Sequence, residues 1–197
     1  MIEVIDKLRK LYRAQGIPTI LDDGLNVLLN AVKEKQPTNI LEVGTATGMS
    51  ATAMLLTCPN ANITTIEIME SSYLESQKNF KEFGLDNRVE GILGDSLQVL
   101  QNLDKKYDFV FLDGSKSKYK KCLTLIEPHL KKDAIVVADN VLFRGYILEE
   151  VECPKRFKTI KKYMKEFLDY ILTDSKYKTE LHKVGDGVTV SKYLKGE

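Results

Sequence analysis

Histidine, cysteine and tryptophan are nearly missing from this 197-residue chain, which contains two, three and none of them. With only His129 and His182, neither a histidine-based zinc site nor a Ser-His-Asp triad is available. Cys58, Cys122 and Cys153 are odd in number, widely spaced and free of any C-x-x-C pair. That removes zinc ribbons and thioredoxin-like chemistry and predicts three reduced, inert thiols. Any metal must sit among oxygen ligands, which is the preference of a hard ion such as magnesium. Long apolar runs are missing as well; none approaches the ~20 residues of a membrane-spanning helix. The opening MIEVIDKLRKLYRA mixes both charge signs and has no secretory apolar core, so a cytoplasmic protein that starts here and stays off membranes is expected.

Net charge is also nearly absent, at +1 from 29 Lys+Arg against 28 Asp+Glu. The balance is uneven along the chain. Residues 105–165 contain 15 basic and 8 acidic side chains, a local +7, and the remainder is at −6. Lys116, Lys118, Lys120 and Lys121 form one cluster; Lys155, Arg156, Lys158, Lys161, Lys162 and Lys165 form another. Such runs are either solvated helix faces or a patch for a polyanion such as RNA.

What is present is ordinary soluble composition, 43% hydrophobic and 29% charged, in a length that fits one domain spanning 1–197. Short runs rich in β-branched or aromatic residues, at 40–43, 63–66, 89–92, 109–112 and 134–137, predict strands mostly buried on both faces. Helical stretches at about 48–58, 70–83, 95–102 and 117–130 alternate with them. Two amphipathic helices, 3–14 and 20–35, separated by Gly16 and Pro18, form an N-terminal part over 1–36, ahead of a core over 37–197. A longer helix near 155–172 precedes strands at 178–184 and 187–193, which flank Gly185-Asp186-Gly187 as a hairpin. Repeated β-α alternation predicts a parallel sheet with helices on both faces.

The segment 42–50, Glu-Val-Gly-Thr-Ala-Thr-Gly-Met-Ser, joins the first strand to a helix. Gly44 and Gly48 permit a tight turn, and the helix N-terminus and Ser50 offer donors to a ligand. A turn with no ligand would also use these glycines. The spacing is neither G-x-G-x-x-G nor a P-loop, so a nucleoside other than a dinucleotide is favoured and a nicotinamide-dependent oxidoreductase is not. Glu67 ends the second strand, where an acidic residue meets ribose hydroxyls. Asp95 either approaches an adenine or caps its helix. Asp113 ends the fourth strand; Asp139 and Asn140 end the fifth. Neighbouring parallel strands bring these oxygens to one edge, where two carboxylates and an amide suit a magnesium-type ion, or else each merely closes a loop.

Four stretches together carry a resemblance: 40–50 (ILEVGTATGMS), 112–119 (LDGSKSKY), 137–145 (VADNVLFRG) and 184–191 (VGDGVTVS). They resemble the cation-dependent, catechol-type O-methyltransferases that use S-adenosylmethionine, and the likeness extends to Gly16-Ile17-Pro18-Thr19-Ile20. The resemblance implies a Rossmann-like, class I methyltransferase α/β fold, with a seven-stranded, mostly parallel sheet whose last strand is antiparallel in a C-terminal hairpin. It places the cofactor's methionine moiety against Gly44, Thr45 and Ser50, with Glu42, Gly48 and Asp113 also lining the cofactor. It places the ribose on Glu67 and the adenine near Asp95 and Ser96. Asp113, Asp139 and Asn140 become ligands of Mg2+ or a similar divalent cation, and Lys116 the catalytic lysine within Asp-x-x-Lys-x-x-Tyr, closed by Tyr119. Two departures stand out. Met49 replaces a usual aromatic residue, and Lys118, Lys120 and Lys121 blur which ammonium acts.

The stretch from Asp139 to Gly145 and Lys155 to Ile160 is similar to the bacterial branch that methylates 5-hydroxyuridine at the tRNA wobble position. The hydroxyl and 4-carbonyl of that base are vicinal oxygens, as in a catechol, and an anticodon loop presents its bases single-stranded. A tRNA anticodon loop is therefore the expected substrate, with a small catechol or phenolic compound as the alternative. The family also implies a homodimer.

Overall fold

The computed structural model describes Lys10, residues 22–148 and residues 151–195. Apart from Lys10, the expected helix at 3–14 lies outside these residues, as do the start of the one at 20–35 and the 16–20 segment. Helix α1 spans Asp22–Lys35 and is followed by strand β1, Asn39–Val43. Helix α2 is Met49–Thr57, β2 is Asn62–Glu67 and α3 is Glu70–Glu82. Strand β3 is Val89–Leu93, α4 is Ser96–Leu100 and β4 is Tyr107–Leu112. Helix α5 is Tyr119–Ile126, β5 is Leu130–Asp139 and α6 is Lys158–Thr173. Strands β6, Tyr177–His182, and β7, Val188–Tyr193, complete the sheet.

The seven strands lie in the order β3-β2-β1-β4-β5-β7-β6. The pairings from β3 through β5 are parallel, and β7 inserts antiparallel between β5 and β6. This is the expected class I methyltransferase arrangement. Strand side chains alternate between faces, so each strand feeds two cores. Leu41, Val43, Val110, Leu112, Val136 and Ala138 pack with α5 and α6 on one face. Ile40, Ile63, Phe109, Phe111 and Val137 pack with α1 and α2 on the other.

Four expectations need correction. Strand β3 is not buried on both faces; it is the sheet edge, paired only with β2, and its residues are half-buried or exposed. Helix α4 ends at Leu100, two residues early. The expected 117–130 helix is α5 with a 3-10 turn at either end, and Leu130 already belongs to β5. Strand β5 starts four residues before its apolar run because Asp133 takes φ 59° and the pairing with β4 shifts register there, so Lys131 and Lys132 fit an irregular stretch.

Candidate active site

Register lines up the candidate residues. Glu67 pairs with Leu93, Val43 with Ile66 and with Leu112, Leu112 with Ala138, and Asp139 with Val188. Gly44, Asp113 and Asn140 therefore follow neighbouring strand ends, and the β6–β7 turn joins the same edge. The carboxyl ends of parallel strands are where open α/β sheets bind ligands.

Gly44 has φ 102°, and a Cβ there would lie 2.5 Å from the Asp113 carbonyl oxygen. The glycine is thus demanded by the close passage of β4, not by a ligand alone. Glu42, fully buried beneath this loop, accepts hydrogen bonds from Ser50 Oγ (2.5 Å) and Thr65 Oγ1 (2.5 Å). Thr65 Oγ1 lies 2.6 Å from Thr45 Oγ1. Burial pushes the Glu42 carboxyl up to about 8, against the pull of the two hydroxyls. Gly48, at φ 82°, precedes α2, and Met49 is buried in the core, which explains why an aliphatic residue serves there. Glu67 is nearly buried; its Oε2 accepts from the Ala46 N–H (2.8 Å) and its Oε1 from the Met69 N–H (2.8 Å). Each oxygen retains a further acceptor site.

Asp95 is the cap of α4, accepting from the Leu97 N–H at 2.8 Å, and its other oxygen meets Lys118 Nζ at 2.5 Å. The capping alternative is thus realised, and the lysine and the cap hold its carboxyl below the usual range. A cleft of about 350 Å³ runs between Gly44, Glu67, Ile68, Ser96, Gly114 and Lys118, so Ser96 faces the same space as Gly44 and Glu67.

Asp113, Asp139, Asn140 and Lys116 converge at the next strand ends. Lys116 Nζ donates to Asn140 Oδ1 (2.8 Å), and Asn140 Nδ2 donates to Asp139 Oδ2 (3.0 Å). The Asn140 N–H donates to Asp139 Oδ1 (2.8 Å). Burial, then the nearby Asp139 charge, pushes Asp113 up to about 7; burial pushes Asp139 up to about 6; Lys116 opposes both. Carboxylates that resist ionisation, set beside an amide oxygen, are a fitting donor set for a divalent cation. Among the described residues no cluster of three His, Cys, Asp or Glu side chains forms; this set has two carboxylates and an amide. Among the clustered lysines, Lys118 is engaged by Asp95, Lys120 lies over the Tyr170 ring (5.2 Å) and Lys116 bonds to the Asp139–Asn140 unit.

Two participants escaped the sequence reading. Thr65 pairs in register with Glu42, and two polar residues in adjoining apolar strands were the available signal. Asp186, seen only as a turn residue, stands close enough to Asp139 and Lys116 for their charges to act on one another.

The sequence profile of the O-methyltransferase family matches residues 5–194. The chain belongs to that family. Caffeoyl-CoA O-methyltransferase of Medicago sativa is 26% identical over 193 residues, covering 90% of this chain and 75% of its own length. Catechol O-methyltransferase of Bos taurus is 33% identical over 149 residues, covering 71% and 54%. The O-methyltransferase TomG of Streptomyces achromogenes, solved with S-adenosylmethionine, superposes with a TM-score of 0.84 at 22% identity, covering 98% of this chain and 90% of TomG. The protein is thus an O-methyltransferase. No helix among its described residues is long and apolar enough to cross a membrane.

Proposed function

We propose that this methyltransferase works in the cytoplasm on 5-hydroxyuridine at the tRNA wobble position, giving 5-methoxyuridine, with a divalent cation held by Asp113, Asp139 and Asn140. The observation that carries the reading is the hydrogen bond from Lys116 Nζ to Asn140 Oδ1, which puts a proton-transfer group against the proposed ligand set. The cleft from Gly44 to Ser96 takes the cofactor, with its ribose on Glu67 and its methionine moiety beside Thr45 and Ser50.

When bound, the cation stabilises the oxyanion of a hydroxyl that has a second oxygen beside it. Lys116, after losing one proton to solvent, accepts the hydroxyl proton. The oxyanion then attacks the sulfonium methyl, and the C–S electron pair stays on sulfur, leaving neutral S-adenosylhomocysteine. The chain's contribution to this step is alignment: Gly44 and Asp113 lie in backbone contact, so cofactor loop and ligand edge move as one piece. The basic segment supports RNA as the substrate carrier. Arg144, Lys155, Arg156 and Lys158 are all exposed, on the segment that follows Asn140.

Labelled S-adenosylmethionine and magnesium, offered with tRNA carrying 5-hydroxyuridine, a catechol panel or a hydroxycinnamoyl thioester, tests the proposal. Label is expected in tRNA and is expected to vanish when a chelator is added. Label confined to the small compounds overturns the tRNA reading.

A further inference from the structure

The turn that follows Asp139 is strained and pinned. Asn140, Phe143 and Arg144 take φ of 56°, 47° and 59°. Bulky L-residues avoid that region, so the turn persists only because its surroundings fix it. The β6–β7 turn does so. The Val141 N–H donates to the Gly187 carbonyl (3.0 Å), the Leu142 N–H to the Asp186 carbonyl (2.8 Å), and the Arg144 N–H to Asp186 Oδ1. Leu142 packs so tightly over Gly187 that a Cβ there would lie 2.3 Å from Leu142 Cγ. Arg144 is thereby held at a set offset from Asn140.

Its guanidinium carbon lies 5.4 Å from the centroid of the Phe157 ring, and that of Arg156 lies 4.7 Å from the same centroid. Phe143 meets Phe157 edge-on (5.6 Å), and Tyr146 stacks with it (6.0 Å). Both arginines are exposed, and among the described residues neither guanidinium has a carboxylate at ion-pair distance. Asp186 feels the Arg144 charge but is bonded to its backbone. Two like charges gathered on one ring repel, and an anion shared between them reverses the sign of that interaction. A guanidinium that rests its face on a ring keeps its N–H edge free for a planar fork onto phosphate.

We infer that Arg144 and Arg156, seated on Phe157, clamp a backbone phosphate of the single-stranded RNA that carries the reacting base. This rests on the tRNA reading above. The strain of the turn then has a purpose: it fixes the distance from the clamped phosphate to Asn140, and so presents one base to Lys116.

The test is binding of an anticodon stem–loop RNA with a wobble uridine, followed by fluorescence anisotropy across a salt series. The protein is compared with Arg144→Gln/Arg156→Gln and with a control of equal charge loss, Lys33→Gln/Lys81→Gln on α1 and α3. The clamp variant is expected to bind about tenfold or more weakly, with a salt slope shallower by roughly 0.7, the worth of the one single-strand phosphate the two arginines share. The control is expected to keep both within experimental scatter. Equal loss in clamp and control variants, or an unchanged clamp variant, overturns the clamp while leaving the tRNA substrate standing. Failure of the unmutated protein to bind the RNA overturns both readings.

Discussion

Lys116 Nζ donates to Asn140 Oδ1 at 2.8 Å, and the same amide donates through Nδ2 to Asp139 Oδ2 at 3.0 Å. Lysine, amide and carboxylate thus form one unit, and the Asn140 oxygen keeps a second lone pair that could meet a cation.

We predict that Lys116→Met lowers kcat by about 10²-fold or more while calorimetric affinity for S-adenosylmethionine stays within about twofold. Lys120→Met, which removes an ammonium resting on Tyr170, is expected to keep kcat near that of the unmutated enzyme. Near-normal turnover in Lys116→Met removes the lysine from the chemistry.

Glu42 sets a pH dependence of stability. Its carboxyl is raised from 4.5 to about 8 by burial. Between those values the unfolded chain has lost the proton that the folded chain retains, so stability falls as pH rises through this window and levels off above it. Glu42→Gln keeps the hydrogen-bonding partners Ser50 and Thr65 but cannot ionise. Urea unfolding of the variant is expected to lack a pH-dependent loss on the order of a few kcal/mol between about pH 5 and about pH 9. An identical slope in both proteins places the pH dependence elsewhere.

Gly187→Ala drives a methyl into Leu142 at a residue with φ 83°. A stability loss of about 1–3 kcal/mol is expected, with a fall in kcat larger than that of a surface substitution, because the displaced turn bears Asn140. Unchanged melting and turnover would show that the turn is not pinned by the hairpin.

Asp186→Ala separates charge from geometry. Removing a negative charge near the clamp strengthens RNA binding if charge alone governs it. The pinned turn predicts the opposite, weaker binding by several-fold, because the Arg144 N–H loses its acceptor. Anisotropy with the same stem–loop RNA decides between the two.

Most of the sheet was legible because its strands are short apolar runs whose ends bear the polar residues. Asp113 and Asp139 were located from strand ends alone, and the register bears out their common edge. What was not legible is non-local. Edge exposure of β3 depends on strand order, which local pattern does not encode. The early start of β5 hides behind Lys131, Lys132 and the left-handed Asp133. That Asp95 caps its helix and also meets Lys118 shows only in its bonds to the Leu97 N–H and the lysine ammonium. Asp186 looked like a turn residue because its partners, Arg144 and Asp139, lie more than forty residues away in the chain.

The most direct measurement is nucleoside mass spectrometry of tRNA that contains 5-hydroxyuridine, after incubation with the enzyme, S-adenosylmethionine and magnesium. The account predicts that 5-methoxyuridine appears at the wobble position and that chelation of the divalent cation abolishes it. Unaltered 5-hydroxyuridine with an active enzyme, or full conversion in excess chelator, contradicts it.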